Sequence, residues 1–250
     1  MHVKKLIKYL KTRFYIKKLD TELYKIRCRN WILNEENGYG ANGLKLESLL
    51  KKKKDRYILP DYNSIEIKAK SNNKYGIHLF SCAFDNKPCE IERFLSIVGE
   101  EKKNINIQKS FQKMINTKKG RLINNKYIKI YPDDKNKKVR LIIFIGSPRR
   151  YLTEMSWSYN ELKSRLETKL EYFVLVHTSN KKINDNWYVK YDNWEFYKLK
   201  SFNDFINCIK EGYINIHFKI KKYNNRIYDK GTSFEIPVNF LDKLFNKIKR

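Results

Sequence analysis

Apolar positions in the first thirty residues fall at Val3, Leu6, Ile7, Leu10, Phe14, Ile16, Leu19, Leu23 and Ile26, close to the 3.6-residue period of a helix, with lysines between them. The spacing predicts one or two basic amphipathic helices. Gly38, Gly40 and Gly43 then mark a loop. Leu44, Leu46, Glu47, Leu49 and Leu50 predict a short helix, closed by a solvated basic turn over Lys51 to Lys54.

After Pro60 the period changes to two. Ile65, Ile67 and Ala69 alternate with Glu66, Lys68 and Lys70, and Ile77, Leu79 and Ser81 repeat the pattern, which predicts two neighbouring strands. Helical spacing follows from Ile107 to Ile115, then strand signals at Tyr127–Tyr131 and Leu141–Ile145. Leu162, Leu166 and Leu170 predict an amphipathic helix, and Tyr172 to Val176 a buried strand. This order of helices and strands predicts an α/β core.

Beyond Asn180 the texture becomes aromatic and antiparallel, with Trp187, Tyr188, Tyr191, Trp194, Phe196 and Tyr197. Packing on one sheet face is the expected role of this cluster, rather than base stacking. A helix is expected over Phe202–Ile209, strands near Ile214–Ile220 and Ser233–Ile236, and a closing helix over Val238–Ile248. The change of texture divides the chain into residues 1–182 and a second, smaller lobe of residues 183–250.

Composition changes the picture in one respect. The chain has 250 residues, 41% hydrophobic and 14% aromatic, with only 9 Gly and 5 Pro, which excludes a disordered or fibrous protein. No apolar run approaches the ~20 residues that span a bilayer, and no uninterrupted apolar stretch follows the basic start, so a cytoplasmic protein with no membrane partner is expected. Cys28, Cys82, Cys89 and Cys208 share no metal-ligand or disulfide-framework spacing and are expected reduced. The new element is charge: 54 Lys and Arg against 27 Asp and Glu, a net +27. Codon bias in an AT-rich genome raises lysine, but it does not explain so few acids. A polyanionic partner, nucleic acid, is therefore expected.

The chemistry concentrates in Pro60-Asp61-Tyr62-Asn63-Ser64-Ile65-Glu66-Ile67-Lys68. Glu66 and Lys68 leave the same face of a strand, and Asp61 stands before an Asn-Ser turn that can fold it back toward them. Two carboxylates and an ammonium would converge, a donor set suited to Mg²⁺ and to hydrolysis of a phosphodiester. Taken alone, the same triplet also suits an exposed strand face with a Glu/Lys surface pair.

Four segments in order resemble the MvaI/BcnI family of type II restriction endonucleases, related to the repair nickase MutH within the PD-(D/E)xK superfamily. They are Gly40 to Leu50, with its glycine loop and Leu-Glu helix; Pro60 to Lys68 with Gly76 to Phe80; Trp157 to Val176; and Gly212 to Ile220 with Lys230 to Ile236. The resemblance implies a restriction-endonuclease-like mixed sheet flanked by helices, and a Mg²⁺-dependent, sequence-specific cut in double-stranded DNA. Asp61 and Glu66 would hold the ion, Lys68 would position or activate the attacking water, and Glu47 would reach the site from its helix. Lys70 could touch a phosphate, and His78 is expected to be structural or phosphate-adjacent. The resemblance further implies a monomer that nicks each strand in turn, with a cognate DNA methyltransferase acting on the same site. The rivals are a MutH-like nickase and a non-catalytic nucleic-acid-binding protein.

The chain departs from the family where bases would be read. In the two C-terminal strands the family tends to place an acid and an Arg, then a His and an Arg; here those positions are His217, Lys219, Lys230 and Glu235. Glu accepts hydrogen bonds where Arg donates them, so a target other than the family's CC-centred GG sites is expected, with phosphate or solvent contact the alternative at each position.

Overall fold

The N-terminal apolar positions fall on a single helix, His2–Cys28. Thr12, Ile16, Leu19, Leu23 and Ile26, three or four residues apart, form its buried face. Leu6, Ile7, Leu10 and Phe14 lie on its other side and are exposed. The computed structural model describes all residues except 1, 39, 53–58, 72–75, 105–106, 147, 230 and 250, with only the backbone course for 2–5 and 102–104. No helix among the described residues is long and apolar enough to cross a membrane.

The chain forms two units, Met1–Tyr75 with Glu167–Lys200 and Phe245–Arg250, and Gly76–Leu166 with Ser201–Leu244. The first is built on a mixed sheet in the order Ile32–Leu33, Asn186–Leu199, Tyr172–Ile183, Glu66–Lys70, with Phe245–Ile248 also pairing Asn186–Leu199. Tyr172–Ile183 runs antiparallel to Asn186–Leu199 and parallel to Glu66–Lys70, which lies at the sheet edge. Side chains alternate across the sheet. Ile67, Tyr172, Val174 and Val176 therefore meet Leu19, Leu23 and Leu46 in one core, while Phe173 stacks on Tyr197 at 4.9 Å on the other face.

Among the described residues the second unit holds three four-stranded sheets. One, in the order Ile77–Cys82, Thr232–Ile236, Asn215–His217, Met114–Asn116, covers an aromatic core in which Trp157 lies 4.5 Å from Phe84 and 5.3 Å from Phe234. None of the four cysteines, all among the described residues, is in a disulfide, and Cys82 and Cys208 are buried.

Several local expectations are corrected by non-local pairing. The two strands after Pro60 are not neighbours: Glu66–Lys70 pairs with Tyr172–Ile183, and Ile77–Cys82 pairs with Thr232–Ile236 in the other unit. Ile107 to Ile115 is not helical but two strands, Ile107–Phe111 and Met114–Asn116, whose apolar residues happen to recur at helical spacing. The helix Pro88–Val98, with Ile91, Phe94, Leu95 and Val98 buried, is an element additional to those expected. The closing helix is only Leu241–Leu244, after which Phe245–Ile248 joins the first sheet. The division into units also runs otherwise than the expected break at residue 182, which falls inside the Tyr172–Ile183 strand. The unit containing most of the C-terminal segment is the larger of the two.

Candidate active site

The site grows from a tight turn ahead of the edge strand. Tyr62 and Ile65 exchange backbone hydrogen bonds, each 2.9 Å, and Asn63 takes a left-handed φ of 55°, a conformation Asn tolerates better than most residues. The turn folds Asp61 back so that its Oδ2 accepts the Ile67 N–H at 3.0 Å. On the strand itself, Ile67 points into the core and Glu66 and Lys68 leave the opposite face. Lys68 Nζ donates to Glu66 Oε1 at 2.7 Å.

Glu66 is 2% exposed, unusual for a carboxylate. Its Oε1 lies near a second cation, Lys169 Nζ, at 3.3 Å, while its Oε2 is buried with no hydrogen-bond partner. Burial pushes the Glu66 carboxyl up; Lys68 opposes the shift and the Asp61 charge adds to it. Asp61 is also held by a cation, since Lys52 Nζ donates to its Oδ1. Glu47 is half-buried on the helix Ala41–Leu49, whose Leu46 packs in the core. Burial also raises its carboxyl, the charges of Asp61 and Glu66 add to that, and Lys52 and Lys68 oppose it. Glu47, Asp61, Glu66 and Lys68 are thus electrostatically one cluster. Lys70 is half-buried on the same strand.

The cluster borders an open cleft of about 620 Å³, lined among others by Gly40, Gly43, Glu47, Lys68 and Trp187. The expected glycine loop ends earlier than Gly43, which lies in the helix Ala41–Leu49 with Gly40 as its N-cap; a Cβ added at either would meet nothing within 4 Å, so the start of the helix presents bare backbone to that space. Asn42 ties the start of this helix to the sheet: its Nδ2 donates to Thr178 Oγ1 at 2.8 Å and Asn180 Oδ1 at 3.0 Å, and its carbonyl accepts from the Tyr191 hydroxyl at 3.0 Å. Trp187, 52% exposed, lines the cleft, whereas Tyr191, Trp194, Phe196 and Tyr197 are packed as expected of the aromatic cluster.

Asp61 and Glu66 could hold a divalent ion. Among the described residues no three His, Cys, Asp or Glu side chains stand together as a ready metal shell. Mg²⁺ needs fewer, because it binds through one or two carboxylates and fills its remaining positions with water and phosphate oxygens. The buried, unpartnered Glu66 Oε2 is the feature that fits such an ion, because a desolvated carboxylate oxygen without a donor is costly unless a cation meets it.

Sequence reasoning missed Lys52 and Lys169. Lys52 stands in a segment expected to be a solvated basic turn, yet its side chain is only 17% exposed and lies on Asp61. Lys169 is one of many lysines, and only its place in the last turn of the helix Tyr159–Leu170 brings it to Glu66. No local signal distinguishes either from its neighbours.

The expected base readers fall in the other unit. His217 pairs with Ser233, and Asn215 with Glu235, across antiparallel strands; Glu235 pairs in turn with His78. Paired residues share a sheet face, so these polar groups lie opposite the face that buries Ile216, Phe234 and Phe80. Lys219 is exposed beside them, its Nζ donating to Ser233 Oγ at 3.0 Å. His78 is exposed and shares a hydrogen bond of 3.0 Å with Ser81 Oγ. Lys230 lies outside the described residues.

A mixed sheet flanked by helices, with Glu66 and Lys68 on its edge strand and Asp61 in the turn before it, defines the class: a mixed α/β fold of the restriction-endonuclease kind. Two solved structures share it at 22% identity. The restriction endonuclease MvaI in complex with its cognate DNA substrate superposes with a TM-score of 0.83, over 94% of this chain and 97% of that one. MvaI in the absence of DNA gives 0.61, over 94% and 96%. No curated protein matches. Residues 20–245 match the model of the MvaI/BcnI restriction endonuclease family, and the chain belongs to that family. It is a site-specific deoxyribonuclease.

Proposed function

We propose that this protein is a type II restriction endonuclease that hydrolyses phosphodiester bonds of double-stranded DNA with Mg²⁺, using Glu47, Asp61, Glu66 and Lys68. The observation that carries the reading is the Glu66 carboxylate, almost fully buried, bonded to Lys68 through one oxygen and left with the other unpartnered beside Asp61 and Glu47. A purely structural ion pair would satisfy both oxygens. The net charge of +27 suits a duplex, and the structural neighbour at TM-score 0.83 is a complex with DNA.

Asp61 and Glu66 would hold the ion, which supplies Lewis-acid stabilisation of the charge developing on phosphate. Lys68 has three N–H donors, of which Glu66 takes one. The others serve to orient the attacking water and to meet a phosphate oxygen. Asp61 is aligned for its part by the Ile67 N–H, so the turn and the strand fix the geometry before substrate arrives. Glu47 shares the negative field of the site, and its raised carboxyl can hold a proton at a pH where an ordinary carboxylate has lost it.

His217, Lys219, Lys230 and Glu235 are the proposed readers of the target. The protein would act as a monomer, nicking each strand in turn, and would be accompanied by a methyltransferase that protects the same site. The deciding experiment is digestion of unmethylated DNA by the purified protein with Mg²⁺ and with EDTA, followed by sequencing of the ends. Uniform ends at one short sequence, lost in EDTA, support the reading, and a nicked circle should precede linear plasmid. Duplex binding unchanged by EDTA with no cleavage in Mg²⁺ would leave a non-catalytic binding protein instead.

A further inference from the structure

The two carboxylates proposed to hold the ion are not equally accessible to it. Glu66 has one oxygen without a hydrogen-bond partner. Asp61 has both engaged: Oδ2 takes the Ile67 N–H, part of the turn that builds the site, and Oδ1 takes Lys52 Nζ. An ion ligated through Oδ1 must therefore share or replace the Lys52 ammonium, while Oδ2 keeps the backbone contact that builds the turn.

Lys52 is placed for this by the helix that carries Glu47. The helix ends at Leu49, Lys51 reverses the chain with a left-handed φ of 59°, and the Lys52 N–H donates to the Glu47 carbonyl at 2.9 Å. Its side chain is 17% exposed and that of Asp61 11%, so their charges meet with little screening by water. The corner needs one positive charge. Without it, Glu47, Asp61 and Glu66 repel one another in a partly dry site; with both an ammonium and a divalent ion, the cations repel instead. Lysine suits a temporary role because its ammonium is a compact charge on a flexible stem and can turn to another acceptor.

We propose that Lys52 is a displaceable counter-cation: it occupies Asp61 Oδ1 until a divalent ion replaces it, and the released ammonium then meets a DNA phosphate at the neighbouring cleft, coupling metal binding to DNA binding. This rests on the reading that Asp61 and Glu66 hold the ion.

The test is Mn²⁺ binding without DNA, followed by electron paramagnetic resonance of the free ion, in wild type, Lys52→Met, Lys51→Met and Asp61→Asn. The expected result is about tenfold tighter binding in Lys52→Met, equivalent to roughly 1.4 kcal/mol. Lys51→Met, which removes an exposed neighbouring charge, should change binding by less than about twofold. Equal tightening in the two variants would mean a general charge effect and overturn the proposal. Unchanged or weaker binding in Lys52→Met would do the same, because Lys52 would then merely order Asp61. Lys52→Gln replaces Lys52→Met if thermal melting shows the methionine variant unfolded. If Asp61→Asn binds Mn²⁺ as wild type does, the fault lies in the underlying reading of the metal site, an outcome separable from the others.

A second measurement needs no turnover. In Ca²⁺, wild-type affinity for a duplex oligonucleotide should depend on salt with a slope steeper by about 0.9 than that of Lys52→Met, the contribution of one phosphate contact. Without divalent ions the two slopes should agree. Parallel slopes in Ca²⁺ would overturn the release of Lys52 to phosphate.

Discussion

Lys169 Nζ lies 3.3 Å from Glu66 Oε1, reaching it from the last turn of the Tyr159–Leu170 helix, so that one oxygen of the buried carboxylate faces two ammonium groups. Lys68 belongs to the same strand as Glu66 and would touch the reacting atoms; Lys169 comes from a separate helix and acts through Glu66. This makes Lys169 a positioning residue. Its charge lowers the Glu66 carboxyl, against burial, which raises it. Replacing Lys169 by Met should therefore raise that carboxyl further, so that protonation begins at higher pH. The acid limb of the pH–rate profile is expected to move to higher pH, with kcat down about 10- to 100-fold and KM little changed. Lys169→Arg should restore the limb. A lower rate with an unmoved limb would indicate a packing role only.

Asp61→Asn, Glu66→Gln and Lys68→Ala are each expected to reduce cleavage by at least roughly 10²- to 10³-fold while duplex binding without metal stays within a few-fold, because the site contributes few phosphate contacts. Single-turnover cleavage alongside a binding titration separates the two effects. Cleavage near the wild-type rate in any of the three would remove that residue from the proposed machinery.

Glu47→Gln should make the protein more stable at neutral pH. The folded-state carboxyl is raised above its ordinary value, so its favourable contribution to folding is present below the unfolded value of 4.5 and is lost as pH rises through the folded one. At pH 7 to 8 the ionised group opposes folding through its burial and its repulsion by Asp61, and the amide removes both. The gain in melting temperature should shrink toward zero as pH approaches 4.5. A gain of the same size at both ends of the range would contradict the electrostatic origin.

Glu235→Gln and Lys219→Ala test readout on the polar sheet face. Glu accepts from cytosine N4, and Lys donates to guanine acceptors, so each substitution should relax preference at one base pair by about 1–3 kcal/mol in a randomised-site cleavage library. A uniform slowing over all sequences would assign these side chains to phosphate contact.

Much of the local structure is legible in the sequence because it depends on local period. The helix spacing of Ile16, Leu19, Leu23 and Ile26, the alternation around Ile65 and Ile67, and the apolar run of Tyr172 to Val176 all occur as elements, since burial of a helix stripe or strand face needs only side chains at the right interval. The closeness of Glu66 and Lys68 is equally local, because residues two apart on a strand share a face whatever lies beside it. The Asn63 turn that returns Asp61 to the strand belongs to the same class.

Pairing and charge environment were decided only by the tertiary structure. Nothing in residues 65 to 81 tells that two consecutive alternating runs join different sheets, or that Phe245–Ile248 leaves a helical pattern to pair with Phe196 and Leu199. Lys52 and Lys169 look like any other lysine in a chain of 54 basic residues, and become distinct because the fold places one on Asp61 and the other on Glu66. The physical reason is the same in each case. Periodicity records which side of an element avoids water, whereas strand partners and the neighbours of a buried carboxylate depend on how other segments approach, from nine residues away for Lys52 and Asp61 to more than a hundred for Lys169 and Glu66, and that approach leaves no periodic mark on either segment.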